Sequence, residues 1–251
     1  MRNVLIKNES NLMKKNNIKI CGITLARGGS KSVPKKNIKH ICGKPLIAFT
    51  IAEALKSKYI DRYIVSTDDR EVQEVAQSYG AEAPFLRPKN LATDDASSLV
   101  AINHAVTFLE EDENCKYDYV IELMCTNPLK TVDDIDGCIE KLIETKADSV
   151  IAVNKLEDHH PIRIKKIIND RIVDFCLPEK LDSRRQDLKP DAYIRSGSIY
   201  ALKRDELIVH NRRYGTENSR PYILSPERAV NVDTEIDFLV AEAQLKKLSS
   251  S

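Results

Sequence analysis

The sequence predicts an α/β protein of three layers, in which helices cover both faces of a mostly parallel β-sheet. Two observations predict this architecture. Between residues 18 and 153, five short apolar runs typical of strands alternate with segments whose apolar residues recur at helical spacing. The first run, residues 18–25, is largely apolar without alternation, as expected for a strand that is covered on both faces.

The predicted strands are short apolar runs bounded by polar or turn residues, at residues 18–25, 63–66, 83–86, 119–123 and 149–153. The helices between them are predicted at about residues 46–55, 69–79, 98–109 and 132–144. Asp69 can cap the second helix, and Gly80 can stop it. The run at residues 83–86 is the weakest of the five.

The alternation ends after residue 155. Residues 156–196 contain His159, His160 and Pro161, many cations and irregularly spaced apolar residues, which predicts an inserted β-rich lobe or an interface arm. Apolar patterns beyond it predict a strand at 197–202, a short helix at 205–209, a strand at 222–224 and a last helix at 233–248.

The composition suits one globular domain, which we place at residues 18–248. Residues 1–17 are polar without a sustained period, so we expect a poorly ordered leader, or translation that starts at Met13. No apolar run approaches the roughly 20 residues needed to cross a bilayer, and the N-terminus has no secretory cleavage site. We therefore expect a cytoplasmic protein without a membrane partner.

The charge and the cysteines exclude further classes of protein. The net charge is +1, whereas a general nucleic-acid binder usually has a basic excess, so we expect no nucleic-acid partner. The six cysteines form no C-x-x-C pair and lie within apolar patterns. This spacing predicts buried thiols rather than a zinc site or a disulfide framework.

Positive charge is concentrated in the segment LARGGSKSVPKKN at residues 25–37, which we call the cationic loop. Residues 10–52 carry nine Lys or Arg and no Asp or Glu. The loop follows the first predicted strand, and loops at the carboxyl ends of parallel strands commonly hold ligands. Gly28 and Gly29 let the backbone approach a guest closely. The loop is therefore predicted to meet an anion.

The cationic loop matches neither a Walker P-loop nor the Rossmann G-x-G-x-x-G. Backbone amides of the glycine turn, together with Arg27, Lys31 and Lys36, can instead hold a polyphosphate and counter charge that develops during group transfer. One cation about 4 Å from a phosphate oxygen contributes roughly 4 kcal/mol before desolvation. On charge alone, the alternative is that the loop is a solvated basic surface segment that binds no ligand.

The cationic loop resembles the N-terminal signature of the CMP-sialic acid synthetases, or acylneuraminate cytidylyltransferases, whose general form is L-A-R-x-x-S-K-x-x-P-x-K-N. Six further motifs follow in the family's order: IVSTDD at 64–69, LRPKNLATDDASS at 86–98, TNPLKT at 126–131, HHP at 159–161, SGSIYAL at 196–202 and NVDTEID at 231–237. Seven motifs in order are more specific than any one alone, and together they cover about residues 18–248.

The resemblance implies a nucleotide-diphospho-sugar transferase-like fold, with a lobe at 156–196 that packs across a homodimer. It implies an enzyme that converts CTP and a 3-deoxy-2-keto acid sugar, such as a sialic acid or another nonulosonic acid, into a CMP-sugar for cell-surface glycans and pyrophosphate. Mg²⁺ is the implied cofactor. The anomeric hydroxyl is expected to attack the α-phosphate in line, while the enzyme positions the groups and stabilises charge.

Matching positions assign residues to this chemistry. Arg27 and Lys36 are the implied catalytic cations on the phosphates. The implied nucleotide-binding set is Leu25, Ala26, Arg27, Lys31, Lys36, Asn37, Arg87, Ala96 and Ser98. A surface arginine is the alternative for Arg87, and a helix N-cap is the alternative for Ser98.

The implied sugar-binding set is Met124, Arg163, Arg185 and Arg195. A guanidinium can bond both oxygens of a sugar carboxylate, although a solvated basic face is the alternative for the arginines, and Arg195 is included only for its proximity in sequence. Asp233 matches a magnesium ligand, with Asn231 beside it, and the N-cap of the last helix is the alternative for Asp233. His159 and His160 are expected to pack in the lobe or lie at an interface rather than bind metal.

Two departures from the family pattern bear on the acceptor and the metal. Met124 replaces a sugar-binding Gln and cannot make amide hydrogen bonds, so legionaminic, pseudaminic or another modified nonulosonic acid is as compatible as N-acetylneuraminic acid. Asn231 replaces the first Asp of D-x-D-T-E. Two other functions remain open: a nucleotidyltransferase for another keto-acid sugar, such as 3-deoxy-manno-octulosonate, or for a different NTP, and a non-catalytic sugar-nucleotide-binding protein.

Overall fold

The computed structural model of the chain describes residues 18–156, 159–179 and 184–249. The predicted leader, residues 1–17, lies outside the described residues. In chain order the strands are β1 (Ile20–Leu25), β2 (His40–Ile41), β3 (Lys44–Pro45), β4 (Arg62–Ser66), β5 (Tyr119–Leu123), β6 (Ser149–Lys155), β7 (Lys165–Ile168), β8 (Arg171–Asp174), β9 (Tyr193–Lys203) and β10 (Ser219–Ile223). The α-helices are α1 (Leu46–Ala54), α2 (Arg70–Ser78), α3 (Ser98–Glu113), α4 (Val132–Glu144), α5 (Arg204–Ile208) and α6 (Glu235–Ser249). In these ranges no helix has the length and apolar character to cross a membrane.

Six strands form the main sheet, in the spatial order β10-β6-β9-β5-β1-β4. Five of these six run in the same direction, and β9 runs antiparallel to its neighbours β5 and β6. The mostly parallel sheet predicted from the sequence is therefore confirmed. Pro221 lies in β10 at the edge of the sheet, where a residue without an amide hydrogen is tolerated.

Helices cover both faces of this sheet, which confirms the three predicted layers. The helices α1, α2 and α4 pack on one face, and α3 and α5 pack on the other. Neighbouring strand residues enter opposite cores, as the pleat requires. Ile20 lies in the first core and Cys21 in the second, while Ile64 lies in the second and Val65 in the first. Each fully buried isoleucine stabilises the fold by about 1.5–3 kcal/mol.

The weak third strand predicted at residues 83–86 is wrong. In this stretch the structure forms isolated bridges at Glu82 and Leu86 instead of a continuous ladder. Pro84 lies between them, and a proline cannot donate to a ladder. The stretch therefore lies beside β4 as a loop that leads to residue 87.

A short hairpin joins the cationic loop to α1. Strands β2 and β3 pair antiparallel, and the two residues between them, Cys42 (φ 47°) and Gly43 (φ 78°), both adopt positive φ, as in a type I′ turn. A third apolar cluster is formed by Val33, Ile41, Leu46, Val232, Phe238 and Ala241. Because this cluster takes residues from both ends of the chain, it holds the cationic loop against the segment that precedes α6.

The region predicted as a β-rich lobe, residues 156–196, contains the antiparallel hairpin of β7 and β8. It also contains the start of β9, which pairs with β6 from Tyr193 onward and so begins earlier than the predicted residue 197. Ile167 and Ile172 face each other across the hairpin and are 77% and 75% exposed. The hairpin thus presents an uncovered apolar face.

Candidate active site

A cleft lies beyond the carboxyl ends of β1 and β5, where ligands bind in sheets of this kind. Its volume is about 280 Å³. Six residues that the sequence assigns to nucleotide or sugar line it: Leu25, Arg27, Arg87, Ala96, Ser98 and Met124. Asp94 and Glu122 also line it. The fold thus brings together residues from distant segments of the chain.

Two cations of the cationic loop converge on an acid in the wall of this cleft. Arg27 Nη1 donates to Thr93 O at 3.2 Å and lies 2.9 Å from Asp94 Oδ1. Lys31 Nζ lies 2.7 Å from Asp94 Oδ2. Lys31 and Arg27 hold the pKa of Asp94 below its ordinary value. A phosphate that enters the cleft would therefore meet cations that are already directed at a negative charge.

Asp68 links the cationic loop to Arg87. Its Oδ1 accepts from Gly28 N at 3.1 Å and lies 3.7 Å from Arg87 Nη2. A Cβ on Gly28 would collide with the Asp69 carboxylate, so the close approach requires glycine. Arg87 is only 4% exposed, and its Nε has no hydrogen-bond partner among the described residues. The surface alternative for Arg87 is wrong, and the cleft wall contains an unsatisfied donor.

Lys36 and Asp233 join the cationic loop to the segment before α6. Lys36 Nζ donates to Asp233 Oδ1 at 2.9 Å, and Ser32 Oγ donates to Asp233 O at 2.6 Å. Asn231 Nδ2 donates to the other carboxylate oxygen of Asp233. The Lys36 side chain is 13% exposed, so this cation is largely shielded from water. The predicted phosphate cation and the predicted metal ligands thus form one polar cluster.

Thr234 and Asp237, rather than Asp233, cap α6. Thr234 N and Thr234 Oγ1 donate to Asp237 Oδ2 at 2.7 and 2.9 Å, and Asp237 N donates to Thr234 Oγ1 at 3.4 Å. This reciprocal pair is a capping box. The cap alternative for Asp233 is therefore wrong, and its carboxylate faces Lys36 and Asn231 instead.

Asp233 and Asn231 carry side-chain oxygens of the kind that Mg²⁺ prefers. Among the described residues, no three His, Cys, Asp or Glu side chains form a metal cage. Mg²⁺ on nucleotides usually takes one or two protein oxygens and completes its shell with water and phosphate. Asn231 Oδ1 is buried without a hydrogen-bond partner in the described structure, while Nδ2 of the same amide faces the Asp233 carboxylate, so both side chains would offer an oxygen to one ion only after the amide rotates. His160 packs in the lobe, with Nε2 2.9 Å from Pro190 O.

Asn37 and Ala26 fix the backbone around Arg27. Asn37 is buried, its Nδ2 donates to Arg27 O at 2.9 Å, and its Oδ1 accepts from Cys125 Sγ at 3.0 Å. Ala26 N donates to Ser66 O at 3.0 Å. These two predicted nucleotide-binding positions therefore also shape the loop that carries the guanidinium.

The loop after β5 is held by a buried lysine that the sequence analysis did not single out. Lys130 is 2% exposed, and its Nζ donates to Met124 O and Thr50 Oγ1, both at 2.7 Å, and to Asn127 O. Three acceptors match the three hydrogens of an ammonium group. Burial lowers the pKa of Lys130 to about 7. The lysine thus positions the backbone of Met124 in the cleft.

An ion pair that no sequence motif indicates lies at the cleft, where Glu122 is a lining residue. Arg213 Nε donates to Glu122 Oε2 at 2.6 Å, and Arg213 Nη1 donates to Ser98 Oγ at 3.0 Å. Burial raises the pKa of Glu122, and Arg213 opposes that shift. Ser98 is the first residue of α3 and follows the N-cap Ser97, so the cap alternative for Ser98 is wrong. A glutamate within an apolar strand is the sequence signal for such a pair.

The family of the chain is shown by its similarity to known sequences. The sequence model described as Cytidylyltransferase matches residues 21–248. The chain belongs to the cytidylyltransferase family. This membership confirms the resemblance that the seven motifs indicate.

Relatives of this cytidylyltransferase act on nonulosonic acids, according to their names. It is 41% identical over 176 residues to the pseudaminic acid cytidylyltransferase of Campylobacter jejuni, a match that covers 70% of this chain and 74% of the relative. It is 30% identical to the CMP-N,N'-diacetyllegionaminic acid synthase of Legionella pneumophila, over 90% of this chain and 95% of that protein.

A solved structure shares the fold of this cytidylyltransferase. The CMP:2-keto-3-deoxy-manno-octonic acid synthetase in complex with CTP matches with a TM-score of 0.69 and 20% identity, over 92% of this chain and 99% of the other. At that identity the match shows the fold alone. It confirms the predicted nucleotidyltransferase fold class.

The three predicted sugar-binding arginines of this cytidylyltransferase lie in two places. The Arg195 guanidinium lies 4.4 Å from the centroid of the Tyr214 ring, and Tyr214 directly follows Arg213 in sequence. Arg163 and Arg185 lie in the lobe, where Arg163 pairs with Glu179 at 3.6 Å and Arg185 lines a second cavity of about 280 Å³. None of the three arginines is among the residues that line the cleft in the described part of the chain.

Proposed function

We propose that the chain transfers the cytidylyl group of CTP to a nonulosonic acid, which gives a CMP-sugar and pyrophosphate. The single observation that carries this proposal is the contact of Lys36, in the cationic loop, with Asp233, because Leu25 and Arg27 of the same loop line the cleft. A polyphosphate needs both cations and a metal ligand within one small volume. Membership of the cytidylyltransferase family and the names of the relatives support the choice of CTP.

In the proposed mechanism the anomeric hydroxyl of the acceptor gives its proton to solvent water and its oxygen forms the bond to the α-phosphorus. The bond from the α-phosphorus to the oxygen that bridges to the β-phosphorus breaks, and that oxygen leaves with the pyrophosphate. Arg27 and Lys36 stabilise the negative charge that moves onto the leaving pyrophosphate. Asp233 and Asn231 would hold Mg²⁺, which supplies further charge neutralisation at the phosphates. Arg87 and Ser98 would hold the cytosine base, which fixes the α-phosphate for in-line attack.

We propose a modified nonulosonic acid, pseudaminic or legionaminic acid, as the acceptor. Met124 in the cleft supports this choice. Its thioether can pack against an apolar substituent of the sugar, whereas it cannot make the hydrogen bonds of the family's glutamine amide. The two relatives described above carry these two sugars in their names. Arg195, and Arg163 and Arg185 from the lobe, are proposed to bind the sugar carboxylate.

We further propose that the chain acts as a homodimer in the cytoplasm. The exposed Ile167 and Ile172 of the lobe support an interface there, because a second copy would cover this apolar face. Dimerisation through the lobe also gives Arg163 and Arg185 a route to a cleft that they do not line in their own chain. Six free cysteines without a disulfide suit a reducing compartment.

Pyrophosphate release across the four NTPs, each with a panel of keto-acid sugars, tests the proposed function. We expect release with CTP, and the highest kcat/KM with pseudaminic or legionaminic acid. Release with only GTP or UTP would contradict the proposed donor, and a preference for 3-deoxy-manno-octulosonate would contradict the acceptor. Binding of CMP-sugar without turnover of any sugar would show a sensor instead of an enzyme.

A further inference from the structure

The hydroxyl of Ser98 is polarised by its arginine partner. Arg213 Nη1 donates to Ser98 Oγ at 3.0 Å. Arginine has donors only, whereas a serine hydroxyl has one hydrogen and two lone pairs. Ser98 must therefore accept from Arg213 through a lone pair, which leaves its own hydrogen for another acceptor. Because Ser98 lines the cleft, a ligand in the cleft is in position to be that acceptor.

Two further contacts fix the orientation of Arg213. Its Nε donates to Glu122 Oε2 at 2.6 Å, and Glu122 is only 1% exposed. The guanidinium also lies over two rings, 4.1 Å from the centroid of Tyr200 and 5.8 Å from that of Tyr214. The carboxylate holds one edge of the guanidinium and the rings hold its face, so the remaining edge points at Ser98. A guanidinium has donors and no acceptor, which keeps the Ser98 hydroxyl in this orientation.

A second donor lies in the same cleft wall. Arg87 is 4% exposed, and its Nε is buried without a partner in the described part of the chain. Ser98 and Arg87 both line the cleft, and a donor from each suits a ligand edge that has two adjacent acceptors. Cytosine offers O2 and N3 as such a pair, whereas uracil places an N3–H donor beside its O2. With uracil, the N3–H donor would face a donor of the protein. Both groups would lose their hydrogen bonds to water without gaining a new one, which disfavours the binding of uracil.

We propose that Glu122 and Arg213 are positioning residues for the choice of nucleobase, because they hold Ser98 as a hydrogen donor toward the O2 and N3 edge of cytosine. The inference rests on the proposed use of CTP. It assigns a role in nucleotide selection to two residues that the family resemblance does not include in the site. Neither residue is required to touch the nucleotide. Their effect is transmitted through the Ser98 hydroxyl.

The substitution Arg213→Lys tests this proposal, since a lysine keeps the charge but cannot bond Glu122 and Ser98 through one planar fork. Dissociation constants for CTP and UTP are measured with Mg²⁺ by calorimetry, together with kcat/KM for both nucleotides. We expect the preference for CTP over UTP to fall about tenfold, mainly through weaker CTP binding. The matched control is Arg212→Lys in the same loop, where Arg212 pairs with Glu206 on the surface and the preference stays at the wild-type value.

The same substitution in a Ser98→Ala background separates positioning from a general structural effect. With the hydroxyl removed, Arg213→Lys is expected to cause no further change in the ratio of CTP to UTP affinity. A purely structural role would weaken both nucleotides and would persist in that background. Glu122→Gln keeps the size of the side chain and is the second variant, with a smaller fall in the preference for CTP expected.

An unchanged ratio in both Arg213→Lys and Glu122→Gln would overturn the proposal, as would a wild-type protein that binds UTP as tightly as CTP. If Arg213→Lys does not fold, as judged by its thermal midpoint, Glu122→Gln decides alone. The binding measurements need no sugar. They therefore decide the inference even if the turnover assay contradicts the acceptor proposed above.

Discussion

Lys36 and Asp233 are 197 positions apart in the chain, yet Lys36 Nζ lies 2.9 Å from Asp233 Oδ1. The third apolar cluster, to which Val33 and Val232 belong, packs their two segments together. Asp233 directly follows the buried Val232, and Lys36 lies three positions after the buried Val33. The positions of the proposed phosphate cation, Lys36, and of the proposed metal ligand, Asp233, therefore depend on the same packing.

The first prediction concerns the phosphate cation. Lys36→Ala is expected to lower kcat/KM by about two to three orders of magnitude, because it removes one group that stabilises charge in the transition state. The thermal midpoint should stay close to that of the wild type. Lys39→Ala is the control, since Lys39 pairs with Glu235 on the surface of the same region. Turnover of Lys36→Ala near the wild-type rate would remove Lys36 from the mechanism.

The second prediction separates catalysis from helix capping at Asp233. Asp233→Ala is expected to abolish the dependence of activity on Mg²⁺, or activity itself, while the free energy of unfolding changes little. The capping box of Thr234 and Asp237 remains in this variant, and a lost cap would cost about 1 kcal/mol. Chemical denaturation measures the second quantity. Full activity of the variant with an unchanged Mg²⁺ requirement would contradict the metal site.

The third prediction concerns the amide beside that carboxylate. Asn231→Asp adds a second anionic oxygen, which is the ligand that Mg²⁺ prefers, so the Mg²⁺ concentration that gives half-maximal activity should fall by about tenfold. A magnesium titration of initial rates measures it. Asn114→Asp makes the same chemical change at an exposed position and should leave the titration unaltered. An unaltered titration for Asn231→Asp as well would show that Asn231 does not contact the metal.

The fourth prediction follows from the lowered pKa of Lys130, which is about 7 in the folded protein against an ordinary value of 10.5. Between these two pH values the unfolded chain binds more protons than the folded chain, so this residue makes the free energy of unfolding rise with pH in that window. Below pH of about 7 both states carry the proton, and the contribution is constant.

Lys130→Met lacks this contribution, so the wild type should gain stability relative to the variant as the pH rises from about 7 to about 10. Urea denaturation at three pH values across the window measures the difference. Lys56→Met removes an exposed lysine in the same way and is the matched control for the effect of burial. A constant difference for Lys130→Met would show that Lys130 keeps an ordinary pKa in the fold.

Features set by local pattern could be predicted from the sequence, and features set by long-range packing could not. The buried strands and the cationic loop follow from apolar runs and charge within short windows. Arg213 lies in a polar loop, and only the packed fold places it on Glu122, 91 positions away. At residues 83–86 a short apolar run predicted a strand that does not form, because Pro84 within the run cannot donate to a strand ladder.

The same limit applies to Arg163 and Arg185. Motif matching assigns both to the sugar, but the structure places them in the lobe and not in the lining of the cleft. A motif match reports position in sequence and carries no information on which chain completes a site. The quaternary arrangement of the lobe is therefore the property that most directly bears on their proposed role.

The last prediction addresses that arrangement through the hairpin of β7 and β8. Ile167 and Ile172 are directly paired and about three-quarters exposed, at 77% and 75%, and burial of each would contribute about 1.5–3 kcal/mol. The double substitution Ile167→Ser and Ile172→Ser is expected to convert a dimer into a monomer at micromolar concentration, as measured by sedimentation velocity. Lys166→Ser alters the opposite face of the same strand and should leave the dimer intact. A wild-type monomer at every concentration would contradict the homodimer, whereas a dimeric double variant would place the interface outside this hairpin.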